Sequence, residues 1–442
     1  MLFASRRNTG GWWLGSFILL CAVFLSGAFN NDALPALIGR YPTAPLNTRP
    51  YFDQISETLV DNAIDKALLG LPADTAGFMF HLIQDPRHLQ ISSLEQYRPE
   101  WRPGAEDLRS VTAYRSQFGL PARLYAAAAP RLGLDRDRTF RLFHSFSAVM
   151  LAGMLAVIVA FVGAAWGTGA ALASLTFSMF ATGFSLFAPS LYWSTFLHVA
   201  PAALVAATAC RTGKPAWQKQ LLWPALAVLF CAKFLSGFEI ATVTIASATI
   251  PWLVLYSVDA VPLRESLRQA AAVAAVGILG FCAALVVFDA AHRQAFGTSG
   301  LEHLAERSMA WGLRPPMSLN ESLLQILKVL VVNVVDVSGY GVPVAIIALA
   351  GILASLYAAR GFWKGLSEAR ERIALVVAAS FFASLSWVLV QPHHLLFHPR
   401  YATIVMAFPF GIFLAAAIPR WQYSRGEPAM RAGVLQSKKP TA

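Results

Sequence analysis

Residues 142–165, LFHSFSAVMLAGMLAVIVAFVGAA, run for 24 positions without an Asp, Glu, Lys or Arg. A helix needs about 20 mainly apolar residues to cross a hydrocarbon core of about 30 Å. Moving outward from this stretch, similar segments recur at 11–29, 170–188, 190–209, 221–236, 239–257, 269–291, 339–359, 373–391 and 401–419. The pattern predicts an all-α polytopic membrane protein with about ten transmembrane helices. Segments 190–209 and 221–236 are short or interrupted. The apolar stretch 321–338 carries Lys328 and Asp336 and reads as a membrane-surface helix or a half-span.

The whole chain agrees with that stretch. Its 442 residues are 56% hydrophobic and 13% charged, against about 25% charged in soluble domains. A soluble enzyme, a disordered chain and a nucleic-acid-binding module are thereby excluded. The net charge of +11 has a topological origin. Arg6 and Arg7 ahead of the first segment place the N-terminus in the cytoplasm. Alternation then makes 1–10, 166–169, 210–220, 258–268, 360–372 and 420–442 cytoplasmic. These pieces hold 16 basic and 5 acidic residues, leaving 19 of each elsewhere. The entire excess lies on the side where loops of membrane proteins concentrate Lys and Arg, so no nucleic-acid partner is needed to explain it.

Four parts follow: an N-terminal anchor helix over 1–29, an outer, periplasmic loop with amphipathic helices over 30–141, a multi-span bundle over 142–419 and a basic cytoplasmic tail over 420–442. Residues 12–28, with Ser26-Gly27-Ala28 at their end, also resemble a signal peptide; a retained anchor is the preferred reading. Cys21, Cys210, Cys231 and Cys282 lie in or beside apolar segments, with no metal-binding spacing, and read as buried, inert thiols.

The outer loop holds 13 of the 24 acidic residues. Within it, SETLVDNAIDKALLG (56–70) puts Leu59, Val60, Ala63, Ile64, Ala67 and Leu68 on one helical face and Glu57, Asp61 and Asp65 on another. Gly70 and Pro72 end this helix, which can lie flat on a membrane. Pro121 opens a second helix that Pro130 limits, and DRDRTFR (135–141) leads into the next span. Surface helices over a bundle make a cavity between lipid and water. The inner loops are too short for a nucleotide-binding domain, and no GxxxxGK[ST] is present.

Two stretches carry a family likeness. YRSQFGLPARLYAAAAPRLGLDRDRTFRLFHSFSAVMLAGM (114–154) and HPRYATIVMAFPFGIFLAAAI (398–418), together with the long loop after the first span, resemble the GT-C glycosyltransferases. The local likeness is to the bacterial protein mannosyltransferase and aminoarabinose transferase group. The resemblance implies a polyprenyl-phosphate-linked sugar donor used outside the bacterial cytoplasmic (inner) membrane, with a lipid, glycan or protein acceptor. It also implies a carboxylate near the outer end of the first helix, and basic groups at the departing phosphate.

By position, the carboxylate matches Asp32 in FNNDALP, with Asp53 in RPYFDQ as the alternative. Family members often show a second acid nearby, followed by Tyr; here Ala33-Leu34-Pro35 follows. A helix-flanking or capping role competes at both positions. The resemblance places Arg115 and Gln117 at the cavity and Arg141 at phosphate or as a tie between loop and bundle. Arg400 in HPRY, accompanied by His393, His394 and His398, is a candidate phosphate contact at the outer end of the last span, where a snorkelling anchor competes. Lys233 and Glu239 interrupt the apolar run CAKFLSGFEIAT. Intramembrane charge is costly and often functional, and a mutual ion pair closing the turn is the simpler account. His198 reads as a packing residue, and Asp289 and Asp336 as solvated helix ends. No cofactor is expected. A divalent metal serves some branches of the superfamily, but no DxD motif is present and no metal ligand is assigned.

Two other functions compete. A transporter or flippase usually has midplane sites in repeated halves, and no internal repeat is evident. A non-catalytic partner in surface-glycan assembly is the third reading. Glycan polymerases and ligases usually place their large outer loop late in the chain, whereas here it follows the first span.

Overall fold

A computed structural model describes residues 6–26, 54–71, 79–82, 108, 111–209, 216–312, 344–363, 369–390 and 401–423. Helix dominates them. After α1 (Arg6–Ser26), the first loop carries α2 (Gln54–Leu68), strands β1 (Met79–Leu82) and β2 (Val111–Tyr114), and α3 (Leu120–Leu132). Then follow α4 (Arg136–Trp166), α5 (Thr168–Phe180), α6 (Thr182–Phe187), α7 (Thr195–Ala209), α8 (Ala216–Ser236), α9 (Ala241–Ser257) and α10 (Leu263–Phe296). Next come α11 (Gly300–Gly312), α12 (Val344–Trp363) and α13 (Ala369–Val390). The last segment joins α14 (Tyr401–Val405), a π-helical turn (Met406–Gly411) and α15 (Ile412–Tyr423).

Each of the ten apolar segments of the sequence coincides with helix over most of its described length. Three stretches, Arg136–Trp166, Leu263–Phe296 and Thr403–Tyr423, are long and apolar enough to cross a membrane. Gly10–Ser26, Thr168–Phe180, Thr195–Ala209, Leu221–Ser236 and Ala241–Ser257 are shorter apolar helices. The expected segment 170–188 is broken where Ala181 takes an extended backbone (φ −68°, ψ 112°). The start of 190–209 is not helix. Ser190 Oγ accepts from the Trp193 amide at 3.1 Å, and Ser194 Oγ donates to the Leu191 carbonyl at 2.9 Å. Such local bonds compete with helix formation, and α7 begins only at Thr195.

Helix ends follow the local chemistry. Asp135 caps α4 by accepting from the Arg138 amide at 2.8 Å. Gly70 closes α2 in the left-handed region (φ 64°), with the Leu71 amide donating to the Lys66 carbonyl at 3.0 Å. Pro130 does not stop α3, which runs two residues further to the left-handed Gly133 (φ 63°). The first loop also contains an antiparallel ribbon that the apolar pattern did not announce, pairing Met79 with Tyr114 and Leu82 with Val111. Nor does α2 turn one open face outward. Glu57, Asp61 and Asp65 are as buried as Val60 and Ile64, so α2 is enclosed on both faces.

Large apolar side chains face outward along the long helices: Ile278, Leu279 and Val286 on α10 are 55–68% exposed. An apolar exterior of this kind is expected where lipid is the solvent. On its inner side α10 approaches α8 and α9 closely. A Cβ at Gly280 would lie 2.7 Å from the Phe230 Cβ, and one at Gly277 would lie 2.9 Å from Ile245. Small residues permit this spacing between helices in lipid. Between Arg268 and Asp289, α10 carries no charged residue.

The bundle has two chemically distinct ends. At one, Trp166 Nε1 donates to Ser257 Oγ at 2.9 Å, Arg372 pairs with Asp259, and Trp421 packs on Tyr357. These are the segment ends that alternation of charge assigned to the cytoplasmic side. At the other end, the first loop meets the start of α4 and the α6–α7, α8–α9 and α10–α11 connections. There Arg136 Nε and Nη2 grip both oxygens of Asp65 at 2.5 and 2.6 Å, tying α2 to α4.

Candidate functional site

The loop-covered end contains a polar cluster built at the α8–α9 corner. α8 finishes at Ser236, and the Gly237 amide donates back to the Lys233 and Phe234 carbonyls, both at 3.2 Å. Glu239 then folds its carboxylate back over Gly237. A Cβ at Gly237 would collide with Glu239 Oε2 and sit 3.3 Å from Gln117 Oε1, so a larger residue there would push the Glu239 carboxylate aside. Gln117, from the turn after β2, donates through Nε2 to Glu239 Oε1. The Tyr192 hydroxyl donates to the same oxygen at 3.0 Å. Three segments distant in sequence therefore meet at one carboxylate.

Lys233 lies one helical turn before the corner and is 1% exposed. Its ammonium interacts electrostatically with Glu239 and with His198. Among the described residues no carboxylate oxygen approaches it within the 4.0 Å of an ion pair. The direct Lys233–Glu239 pair that the sequence suggested does not form, because Gln117 and Tyr192 draw Glu239 toward themselves. The fully buried His198 sits 2.7 Å through Nδ1 from Thr244 Oγ1, which itself donates to the Ile240 carbonyl at 2.9 Å. Because Thr244 Oγ1 spends its proton on Ile240, it can accept from a proton on Nδ1. The His198 ring stands edge-on to Phe408, with centroids 5.7 Å apart.

Tyr192 is held by its own turn, residues 188–194. The buried Glu57 carboxylate of α2 takes the Ser190 hydroxyl and the Leu191 and Tyr192 amides, the amides at 3.1 and 3.3 Å. From the opposite side, His144 Nδ1 lies 2.7 Å from the Pro189 carbonyl, and Ser147 Oγ donates to the Ser190 carbonyl at 3.0 Å. Burial pushes the nearby Tyr125 phenol above its ordinary pKa, so it stays protonated under physiological conditions.

Of the residues singled out in the sequence, Gln117, Lys233 and Glu239 are brought together. Arg115 is exposed beside them, its guanidinium 4.3 Å from the centre of the Phe296 ring at the end of α10. Arg141 is exposed near the start of α4. Asp32, Asp53, His398 and Arg400 lie outside the described residues. Asp289 plays a structural part. Its carboxylate takes Ser299 Oγ at 2.7 Å, Arg293 Nε at 2.8 Å and the Leu301 amide at 3.3 Å, fixing the start of α11. Sequence reading missed Tyr192, Gly237 and the role of Glu57. The polar, aromatic interruption SLYWS between two apolar runs was the available signal for the turn. Among the described residues, no three His, Cys, Asp or Glu side chains gather as a metal-binding group.

No family model, curated protein or solved structure matches the chain. The glycosyltransferase likeness accordingly stands on the layout of the chain and on residues 114–154 and 398–418 alone.

Proposed function

We propose that this chain is a membrane glycosyltransferase of about ten spans, acting at the outer face of a bacterial cytoplasmic (inner) membrane. Both termini are cytoplasmic in this reading. It moves a sugar from a polyprenyl-phosphate-linked donor to a lipid, glycan or protein acceptor. The supporting observation is the buried Lys233 ammonium, without an ion-pair partner among the described residues, beside a Glu239 carboxylate already committed to Gln117 and Tyr192. A cation kept in a dry setting, with its neighbouring carboxylate beyond ion-pair distance, is suited to an anion that arrives with the substrate.

The reaction is a displacement at the anomeric carbon. An acceptor hydroxyl loses its proton to a carboxylate, Asp32 or else Asp53, as its oxygen bonds to that carbon. The bond from carbon to the phosphate oxygen breaks, and polyprenyl phosphate departs with added negative charge. Lys233 offsets this charge, aided by Arg400 and His398. Arg115 and Arg141 stand at the rim for the donor's phosphate or the acceptor.

Mass spectrometry of lipid-linked sugars tests the reading in matched strains with the intact protein, a deletion, Lys233→Met or Asp32→Asn. The expected result is accumulation of one polyprenyl-phosphate sugar in the deletion, with loss of a matching surface decoration. Lys233→Met should slow transfer by about a hundredfold, the scale of removing one group that stabilises developing charge. Accumulation in the deletion but not in Asp32→Asn moves the base to Asp53. No change in any lipid-linked sugar, with intact protein shown in the membrane, overturns the transferase reading and favours a transporter or a non-catalytic partner.

A further inference from the structure

Glu239 is held in a seat that keeps it off the nearest cation. Gln117 Nε2 and the Tyr192 hydroxyl both donate to Oε1, the hydroxyl at 3.0 Å. Oε2 packs over the bare Cα of Gly237, in the space a Cβ would need. Lys233 is 1% exposed and close enough to feel the Glu239 charge, yet its ammonium makes no ion pair or hydrogen bond among the described residues. Attraction between opposite charges grows as water is excluded. A lysine and a glutamate so placed close on each other unless something restrains one of them. Both restraints come from outside the α8–α9 corner. Gln117 belongs to the first loop, and the turn that carries Tyr192 is fixed by Glu57 of the same loop.

We infer that Gln117 and Tyr192 are positioning residues that park Glu239 and so keep the Lys233 ammonium open to an incoming phosphate. Without them the Glu239 carboxylate swings onto Lys233, and a phosphate has to break an internal ion pair before it can bind. Their donors are directed at Glu239 Oε1, so they act on the phosphate through Glu239 and not by touching it. The first loop thereby sets whether the buried cation is available. This inference rests on the transferase reading, in which Lys233 receives the donor's phosphate, and adds what keeps that place free.

The test is direct binding to the full-length protein in lipid nanodiscs. The probes are a synthetic polyprenyl phosphate and the matching polyprenol, which has the same tail and no charge. The intact protein should prefer the phosphate, and Lys233→Met should remove that preference. Gln117→Met should lower the preference about tenfold, mid-range for coupling inside one polar network. Tyr192→Phe, which deletes only the hydroxyl, should act in the same direction. Glu239→Gln alone should not weaken phosphate binding. In that background no carboxylate at 239 can pair with Lys233, and both substitutions should then change the preference by less than about twofold, the limit for sites that do not interact. A merely structural role for Gln117 or Tyr192 would not cancel in this way. Thermal unfolding reports whether each variant is folded, and Tyr192→Phe decides the matter if Gln117→Met is not. A loss that persists in the Glu239→Gln background, or no loss in a folded variant that retains Glu239, overturns the positioning role and leaves Lys233 as the phosphate's cation. A phosphate preference that the intact protein lacks, or that survives Lys233→Met, overturns the Lys233 reading and the positioning role with it.

Discussion

Glu57 shows how much one buried carboxylate organises. It is 133 to 135 residues from its partners in sequence, yet it accepts from the hydroxyl and two amides of the turn that carries Tyr192. Replacing it by Ala leaves buried amides without an acceptor. Glu57→Ala should cost about 3 kcal/mol, since hydrogen bonds to charged groups contribute about 1.5–3 kcal/mol each. It should also speed hydrogen exchange at Leu191 and Tyr192 while leaving α10 unchanged, as read by mass spectrometry in detergent. Normal protection at that turn in the variant refutes the role. The sequence made Glu57 visible as one member of a stripe at i, i+4 and i+8. It could not reveal the partner, because helical periodicity describes a face and not what covers it. Lys233 and Glu239 were legible for the opposite reason: two charges in an apolar run stand out wherever the chain goes. Their geometry was not legible, since it depends on Gln117 and Tyr192 from distant segments.

At the scale of elements, close approaches set the tolerances. α6 crosses α14 so closely that a Cβ at Gly183 would lie 2.5 Å from the Thr403 carbonyl oxygen. That neighbour is backbone and cannot rotate away. Gly183→Ala should lower stability by about 1–3 kcal/mol, the usual cost of overpacking, measured as a fall in melting temperature in detergent; an unchanged melting temperature contradicts the packing. The tie between α2 and α4 predicts a second loss. Asp65 is 4% exposed and Arg136 24% exposed on their side chains, so Asp65→Ala removes the two-pronged partner of the guanidinium and leaves it Asp137 at 4.0 Å and the field of Asp61. The expected loss is about 2 kcal/mol, the scale of hydrogen bonds to a charged group, and the same melting measurement reads it. Helices of the apolar segments were readable because twenty uncharged residues have few other stable states in lipid. The ribbon of β1 and β2 was not, because four-residue strands carry too little pattern, and 28 residues separate Leu82 from Val111.

For the whole molecule, the apolar exterior makes a prediction about accessibility. Cys282, expected from the sequence to be buried, is an exposed free thiol on α10, between the uncharged faces of Ile278 and Val286. In membranes it should resist neutral and charged maleimides alike, because these reagents consume thiolate, which hydrocarbon does not support, and react once SDS unfolds the chain; rapid labelling by the charged reagent would place α10 in water. Its position also bears on α10 as a whole. The 34 residues of Leu263–Phe296 span about 51 Å at 1.5 Å per residue. The uncharged interval from Arg268 to Asp289 covers about 31 Å, nearly the thickness of a hydrocarbon core. In the membrane reading proposed above, α10 is a ruler with a charged mark at each interface. Beyond the Asp289 mark it still rises two turns to Phe296, where Arg115 rests. In a thinner bilayer the ruler tilts, and the platform on which the first loop sits tilts with it. That reading makes the height of the loop-covered cluster above the lipid a function of membrane thickness.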